Sequence, residues 1–248
     1  MTLMNNTVLI TGGSSGIGFK LAEILVKNNN QVIICGRSEE KLKKSKGLIP
    51  ELHIIQCDLS TKEGCLQLSE QIKKDFSSCN ILINNAAVVH KNNFYTDISA
   101  IEKSELEINT NLMAPIYLSK LLMPIISKNE NAKIINITSG LAYLPRAVYP
   151  IYNATKAALH SFTQVLRMQL SNTNIDIIEV MFPAVDTPWH NGNTPKIAIS
   201  ADAIAFVDTN FSKLSNIEII TATSADKDGA VSFTTGGFFD AKFPDSAT

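Results

Sequence analysis

The run Thr7–Thr11 (TVLIT) leads directly into Gly12-Gly13-Ser14-Ser15-Gly16-Ile17-Gly18, and that loop opens an amphipathic segment over residues 16–28. A short apolar strand, a glycine-rich turn and a helix start in immediate succession restrict the possible folds more than any other feature of the chain. Glycines let the backbone turn tightly and approach a bound group. The first turn of a helix offers unpaired N–H groups and the positive end of the helix dipole, so the combination suits a pyrophosphate. A glycine cluster by itself is ordinary turn chemistry; its place between a first strand and a first helix gives it weight.

The same alternation continues downstream. Strand-length apolar runs at 31–35, 53–57, 80–84, 133–138 and 175–181 are separated by helix-length amphipathic segments at 38–46, 62–76, 102–127 and 151–170. Ser38 stands where a helix N-cap belongs, with lysines toward the far end of its segment. Pro115 and Pro124 are expected to kink or end the long segment locally. A short helix over 200–210 and a strand over 217–221 follow. This pattern predicts an α/β fold, a Rossmann-type doubly wound parallel sheet in three layers with right-handed crossovers. No repeat, linker or second core is evident, so residues 1–248 are expected to form a single domain, with 222–248 as an atypical C-terminal tail.

Composition narrows the classes of function. A net charge of −1 gives no electrostatic case for nucleic acid or an anionic membrane. No apolar run approaches the length of a membrane span and no signal-peptide core precedes Thr7, so a cytoplasmic location is expected. Cys35, Cys57, Cys65 and Cys79 and the scattered histidines 53, 90, 160 and 190 suggest neither a disulfide framework nor a metal site.

The glycine spacing is G-x-x-x-G-x-G, and it resembles the short-chain dehydrogenase/reductase family in register over residues 7–187. Segments 107–118 and 139–166 resemble its DltE-type bacterial oxidoreductases. The resemblance implies that Gly12, Ser14, Ser15, Gly16, Ile17 and Gly18 cradle a nicotinamide dinucleotide. NAD-preferring members carry an acidic residue after the second strand, whereas Gly36 and Arg37 stand here. An arginine pairs with a 2′-phosphate that a carboxylate would repel, so Arg37 with Ser14 implies NADP(H) in preference to NAD(H); the bland reading is a solvated surface arginine. Asp58, with Leu59, stands where the family contacts adenine, though a turn aspartate is the ordinary alternative. Asn85, Ala86 and Ala87 follow the fourth strand, with Ala87 where the family usually carries glycine. Pro183, Val185 and Thr187 belong to the nicotinamide loop, with Phe182-Pro183 replacing the usual Pro-Gly.

Tyr152 and Lys156 are spaced i, i+4 and share one helix face. A lysine cation beside a phenol favours its ionised form, so the pair suits proton exchange with a carbonyl or alcohol oxygen. Ser139 at the end of the fifth strand is placed to donate to that oxygen, its alternative being a turn serine. Asn111 matches the family's helix asparagine, which supports a water chain to the lysine; a solvent-facing polar residue is the alternative, and Asn109 is its near neighbour. Together Asn111, Ser139, Tyr152 and Lys156 imply an oxidoreductase acting on a small-molecule carbonyl or alcohol. Leu141, Tyr143, Leu144, Tyr149 and the loop 189–196 are expected to line the substrate pocket. A homodimer or homotetramer through the helices at 102–127 and 151–170 is implied. A non-catalytic NADP(H)-binding regulatory protein and an NADP-dependent epimerase are the competing readings.

Overall fold

The computed structural model describes residues 3–182 with their side chains and, beyond them, the backbone of the strands Ile219–Ala225 and Val231–Gly236. The strands β1 (Thr7–Thr11), β2 (Gln31–Gly36), β3 (His53–Gln56), β4 (Cys79–Asn84), β5 (Lys133–Ser139), β6 (Asp176–Phe182), β7 (Ile219–Ala225) and β8 (Val231–Gly236) form one sheet in the order β3-β2-β1-β4-β5-β6-β7-β8. Neighbours from β3 to β7 pair in parallel, and β8 runs antiparallel along β7.

Central parallel strands are buried on both faces, which is why these runs are apolar without alternation. Val8 and Ile10 of β1 feed a core that includes Leu21 and Leu25, whereas Leu9 feeds another that includes Leu68, Ile72, Leu118 and Leu122. The first core lies under α1 (Gly16–Lys27) and α2 (Glu39–Leu48), the second under α3 (Lys62–Asp75), α5 (Ala114–Ile126) and α6 (Pro150–Gln169). The result is the doubly wound, three-layer Rossmann arrangement the sequence predicts. The order in which strands are added reverses about β1, whose neighbours are β2 and β4, and ligands of such sheets bind in the crevice at that switch point, beyond the carboxyl ends of the strands.

Local signals behave as their chemistry dictates. Ser38 caps α2 by accepting from Lys41 N, and Thr61 caps α3 by accepting from Gly64 N. The long segment departs from expectation. It is α4 (Ala100–Ile108), a widened π turn Asn109–Met113, and then α5, so the irregularity lies upstream of the prolines. Pro115 has no N–H to offer the carbonyl of Asn111, and Ala114 N donates to Asn109 O, one residue wider than an α-helical bond. Pro124 sits inside α5, which continues to Ile126. At the far end β7 reaches Ala225 and β8 adds an antiparallel edge, so part of 222–248 extends the sheet. The expected helix at 200–210 lies outside the described residues.

Candidate active site

The glycine loop leaves β1 and is held from both sides. Gly12 has a φ of +65°, which favours glycine, and a Cβ there would stand 2.9 Å from Ala86 Cα. Gly18 is equally constrained, because its Cβ would come within 2.5 Å of Asn85 Nδ2. Asn85 Nδ2 donates to Thr11 O at 2.9 Å and to Gly12 O at 3.3 Å, and the Thr11 hydroxyl accepts from the backbone N–H groups of Asn85 and Ala86. The end of β4 thus clamps the loop. Ser15, the residue before α1, makes no side-chain cap, and no acidic residue lies in the first turn. The N–H groups there are left to an external acceptor, and the glycines let the loop pack tightly on β2 and the end of β4, so the residues present fit a dinucleotide pyrophosphate. Ser14 is half-buried and Ile17 packs its side chain on the α1 core, leaving only its backbone to face the loop.

At the end of β2, the nearest heavy atom to a Cβ placed on Gly36 is Ser14 Oγ at 3.6 Å. Arg37 is exposed, and its carbonyl accepts from Gln56 Nε2 at 3.0 Å. Asp58 Oδ1 accepts from Ser60 N and Oγ, so the aspartate does build the turn. Burial alone would raise its pKa, but the Ser60 donors and the nearby Arg37 charge hold it below the ordinary carboxylate value. Leu59 buries its side chain in the core, so only its backbone is available to a ligand, and Ala87 is exposed. Pro183, Val185, Thr187 and the loop 189–196 lie outside the described residues.

The four proton-handling candidates come together from three elements. Lys156 is buried on α6 and donates from Nζ to Ile137 O at 2.8 Å, with Nζ 5.6 Å from the centroid of the Tyr152 ring. Ser139 ends β5, where its hydroxyl accepts from Leu141 N and is near enough to the Tyr152 phenol to favour the phenolate. Asn111 is wholly buried in the π turn, whereas Asn109 is exposed. The Asn111 amide accepts from Val88 N at 2.7 Å and donates to Val88 O at 2.7 Å and to Thr155 Oγ1 at 3.2 Å. It therefore pins the strand leaving β4 against α6 and does not face solvent.

The electrostatic balance differs from the simple expectation of a lysine-ionised phenol. Burial pushes the Tyr152 phenol up to about 12; the Ser139 hydroxyl opposes this, and the charges of Glu107 and Tyr149 add to it. Burial pulls the Lys156 ammonium down to about 8 against the attraction of Glu179. In the protein alone Tyr152 is a protonated acid, and Lys156 is poised near the top of the physiological range.

Two carboxylates absent from the sequence expectations flank this pair. Glu107, one turn before Asn111 on α4, accepts at Oε1 from His90 N (2.7 Å) and pairs with His90 Nδ1 (2.8 Å). Its Oε2 is buried with no partner among the described residues, and burial raises its pKa against the His90 contacts. Glu179, wholly buried in β6, accepts from Thr138 Oγ1 and contacts His160 Nδ1. A glutamate inside the run IDIIEVM is the one signal that marked it.

The comparisons agree with this geometry. The family described as short chain dehydrogenase matches residues 6–198. An uncharacterized oxidoreductase, DltE of Bacillus subtilis (strain 168), is 46% identical over 205 residues, covering 83% of this chain and 81% of that protein. A short-chain dehydrogenase from Sphingobium yanoikuyae, solved in complex with NADPH, superposes with a TM-score of 0.78 at 25% identity, covering 87% of each chain. A 3-ketoacyl-(acyl-carrier-protein) reductase from Brucella melitensis, complexed with NADH, shares the fold with a TM-score of 0.78 at 22% identity, over 88% of this chain and 96% of that one. The glycine cradle, the Ser139–Tyr152–Lys156 cluster and these matches lead to one conclusion: the chain is an oxidoreductase belonging to the short-chain dehydrogenase family.

Proposed function

We propose that the chain, as one unit over residues 1–248, reduces a small carbonyl compound with NADPH, or oxidises the corresponding alcohol with NADP⁺. The observation that carries this reading is the half-buried Tyr152 phenol, with Lys156 Nζ 5.6 Å from its ring centroid and the Ser139 hydroxyl near enough to influence its ionisation. The bound nicotinamide supplies the hydride. Tyr152 then donates its proton to the carbonyl oxygen as negative charge develops there, and the Ser139 hydroxyl donates a second hydrogen bond to the same atom. Lys156 steadies the phenol electrostatically and restores its proton. The carbonyl of Asn111, deprived by Pro115 of its usual helical partner, supports a water path to that lysine. A basic Arg37 beside an open Gly36 supports a 2′-phosphate and hence NADP(H). Exposed Ile101 and Ile108 on α4 and Val165 and Met168 on α6 support pairing of two copies through these helices. Loss of NADPH absorbance on adding members of an aldehyde and ketone panel tests the reading. Turnover supports it, and NADPH binding without turnover on any member favours a regulatory protein.

Two outcomes follow from the site. Gly12→Ala forces a side chain into a left-handed backbone and against Ala86, so NADPH affinity is expected to fall about tenfold or more, measured by calorimetry on protein whose circular dichroism is unchanged. Glu107→Gln removes a negative charge that raises the Tyr152 pKa. Reduction needs the protonated phenol and is lost as pH rises through that pKa. The alkaline limb of kcat/KM is therefore expected to move to lower pH in the variant. An unmoved limb separates Glu107 from the acid.

A further inference from the structure

Glu179 lies in the middle of β6 on the sheet face covered by α6, with no solvent exposure. A carboxylate in such a place is costly unless its oxygens are satisfied, and an apolar residue of similar size would be no less stable. Its oxygens are satisfied by a directed chain. Thr138 Oγ1 donates to Oε1 at 2.7 Å, and His160 Nδ1 stands 3.0 and 2.9 Å from the two oxygens. Because a carboxylate only accepts, Nδ1 carries a proton, and in the neutral imidazole Nε2 then accepts from the Tyr143 phenol at 2.7 Å. The Tyr143 and His160 rings meet edge-on with centroids 4.9 Å apart.

The chain of contacts runs from the core to an exposed ring on the segment that joins Ser139 to Tyr152. His160 follows Lys156 by four residues and Tyr152 by eight, so all three share one face of α6. Tyr143 follows the short 3-10 turn Gly140–Ala142 that begins at Ser139, and it is 51% exposed although its hydroxyl is held. The connection it opens returns through Tyr149, whose ring meets that of Tyr152 at 6.4 Å. A segment running from Ser139 to Tyr152 is therefore fastened near its start to a buried acid that the hydride-transfer scheme does not use. Its other outward side chains, Leu144 and Val148, are apolar and exposed.

We propose that Glu179 and His160 are positioning residues that fix Tyr143 as a wall of the substrate site, and that Tyr143 selects carbonyl compounds with a bulky apolar or aryl arm. The selectivity part rests on the dehydrogenase reading; the anchoring part does not. Tyr143→Phe removes only the outer hydroxyl and keeps the ring, and His160→Gln cannot bridge both neighbours at once. Steady-state kinetics with acetophenone and propanal are expected to show the acetophenone-to-propanal ratio of kcat/KM falling about tenfold in either variant, through KM. The double variant is expected to be no worse than the worse single one, because the two groups act through one contact. Additive losses, or equal losses on both probes, overturn the selectivity. Independently of turnover, amide hydrogen exchange over residues 141–149 is expected to quicken about tenfold in both variants and to stay unchanged in the core strands. Unchanged exchange in Tyr143→Phe overturns the anchor. If the wild type reduces no probe, the dehydrogenase reading and the selectivity fall together, and exchange still decides the anchor.

Discussion

Tyr152→Phe is expected to cut NADPH-dependent carbonyl reduction about a thousandfold, while NADPH affinity changes by about threefold or less. The ring stays, and with it the packing against Tyr149 and the ring face that Lys156 approaches. What is lost is a phenolic proton near Ser139 that burial holds in place. The loss should fall on kcat and kcat/KM alike, because the proton moves only as the oxygen becomes charged. Single-turnover absorbance at saturating NADPH reads the chemical step directly. A rate within tenfold of wild type would transfer the acid's role to another group.

The second large effect concerns the cofactor. Gly36→Asp places a carboxylate where the nearest heavy atom to its Cβ is Ser14 Oγ at 3.6 Å, so the Cβ is accommodated in ordinary contact. There it repels a 2′-phosphate and accepts from a free ribose hydroxyl. The ratio of NADH to NADPH dissociation constants is expected to shift toward NADH by about a hundredfold or more, roughly 3 kcal/mol. Loss of affinity for both cofactors equally would place the ribose elsewhere.

The fold was legible because its two determinants are local. Apolar strand runs alternate with amphipathic segments, and Gly12 through Gly18 sit where a strand becomes a helix. The Tyr152–Lys156 spacing and the strand-end Ser139 were readable for the same reason. Asn111 was singled out for a water path to the lysine, but its hold on Val88 was not legible, since reaching both backbone groups depends on how the chain after β4 crosses α4. A local kink or end was expected at the prolines, whereas the widened turn lies upstream because Pro115 acts on a carbonyl four residues earlier. Glu179 and Glu107 were missed for a different reason. A charge inside a buried strand announces that a partner exists, yet His160 becomes that partner only through the packing of α6 on β6. His90 likewise reaches Glu107 only through the path of its loop.

The central claim is that Gly12–Gly18 and Arg37 hold an NADP(H) dinucleotide for the Tyr152–Lys156 pair. Calorimetric titration of the wild-type protein with NADPH and with NADH in one buffer tests it most directly. NADPH is expected to bind about tenfold tighter or more, roughly 1.4 kcal/mol. Tighter binding of NADH would contradict the role given to Arg37 and Gly36, and binding of neither would contradict the account of the glycine cradle.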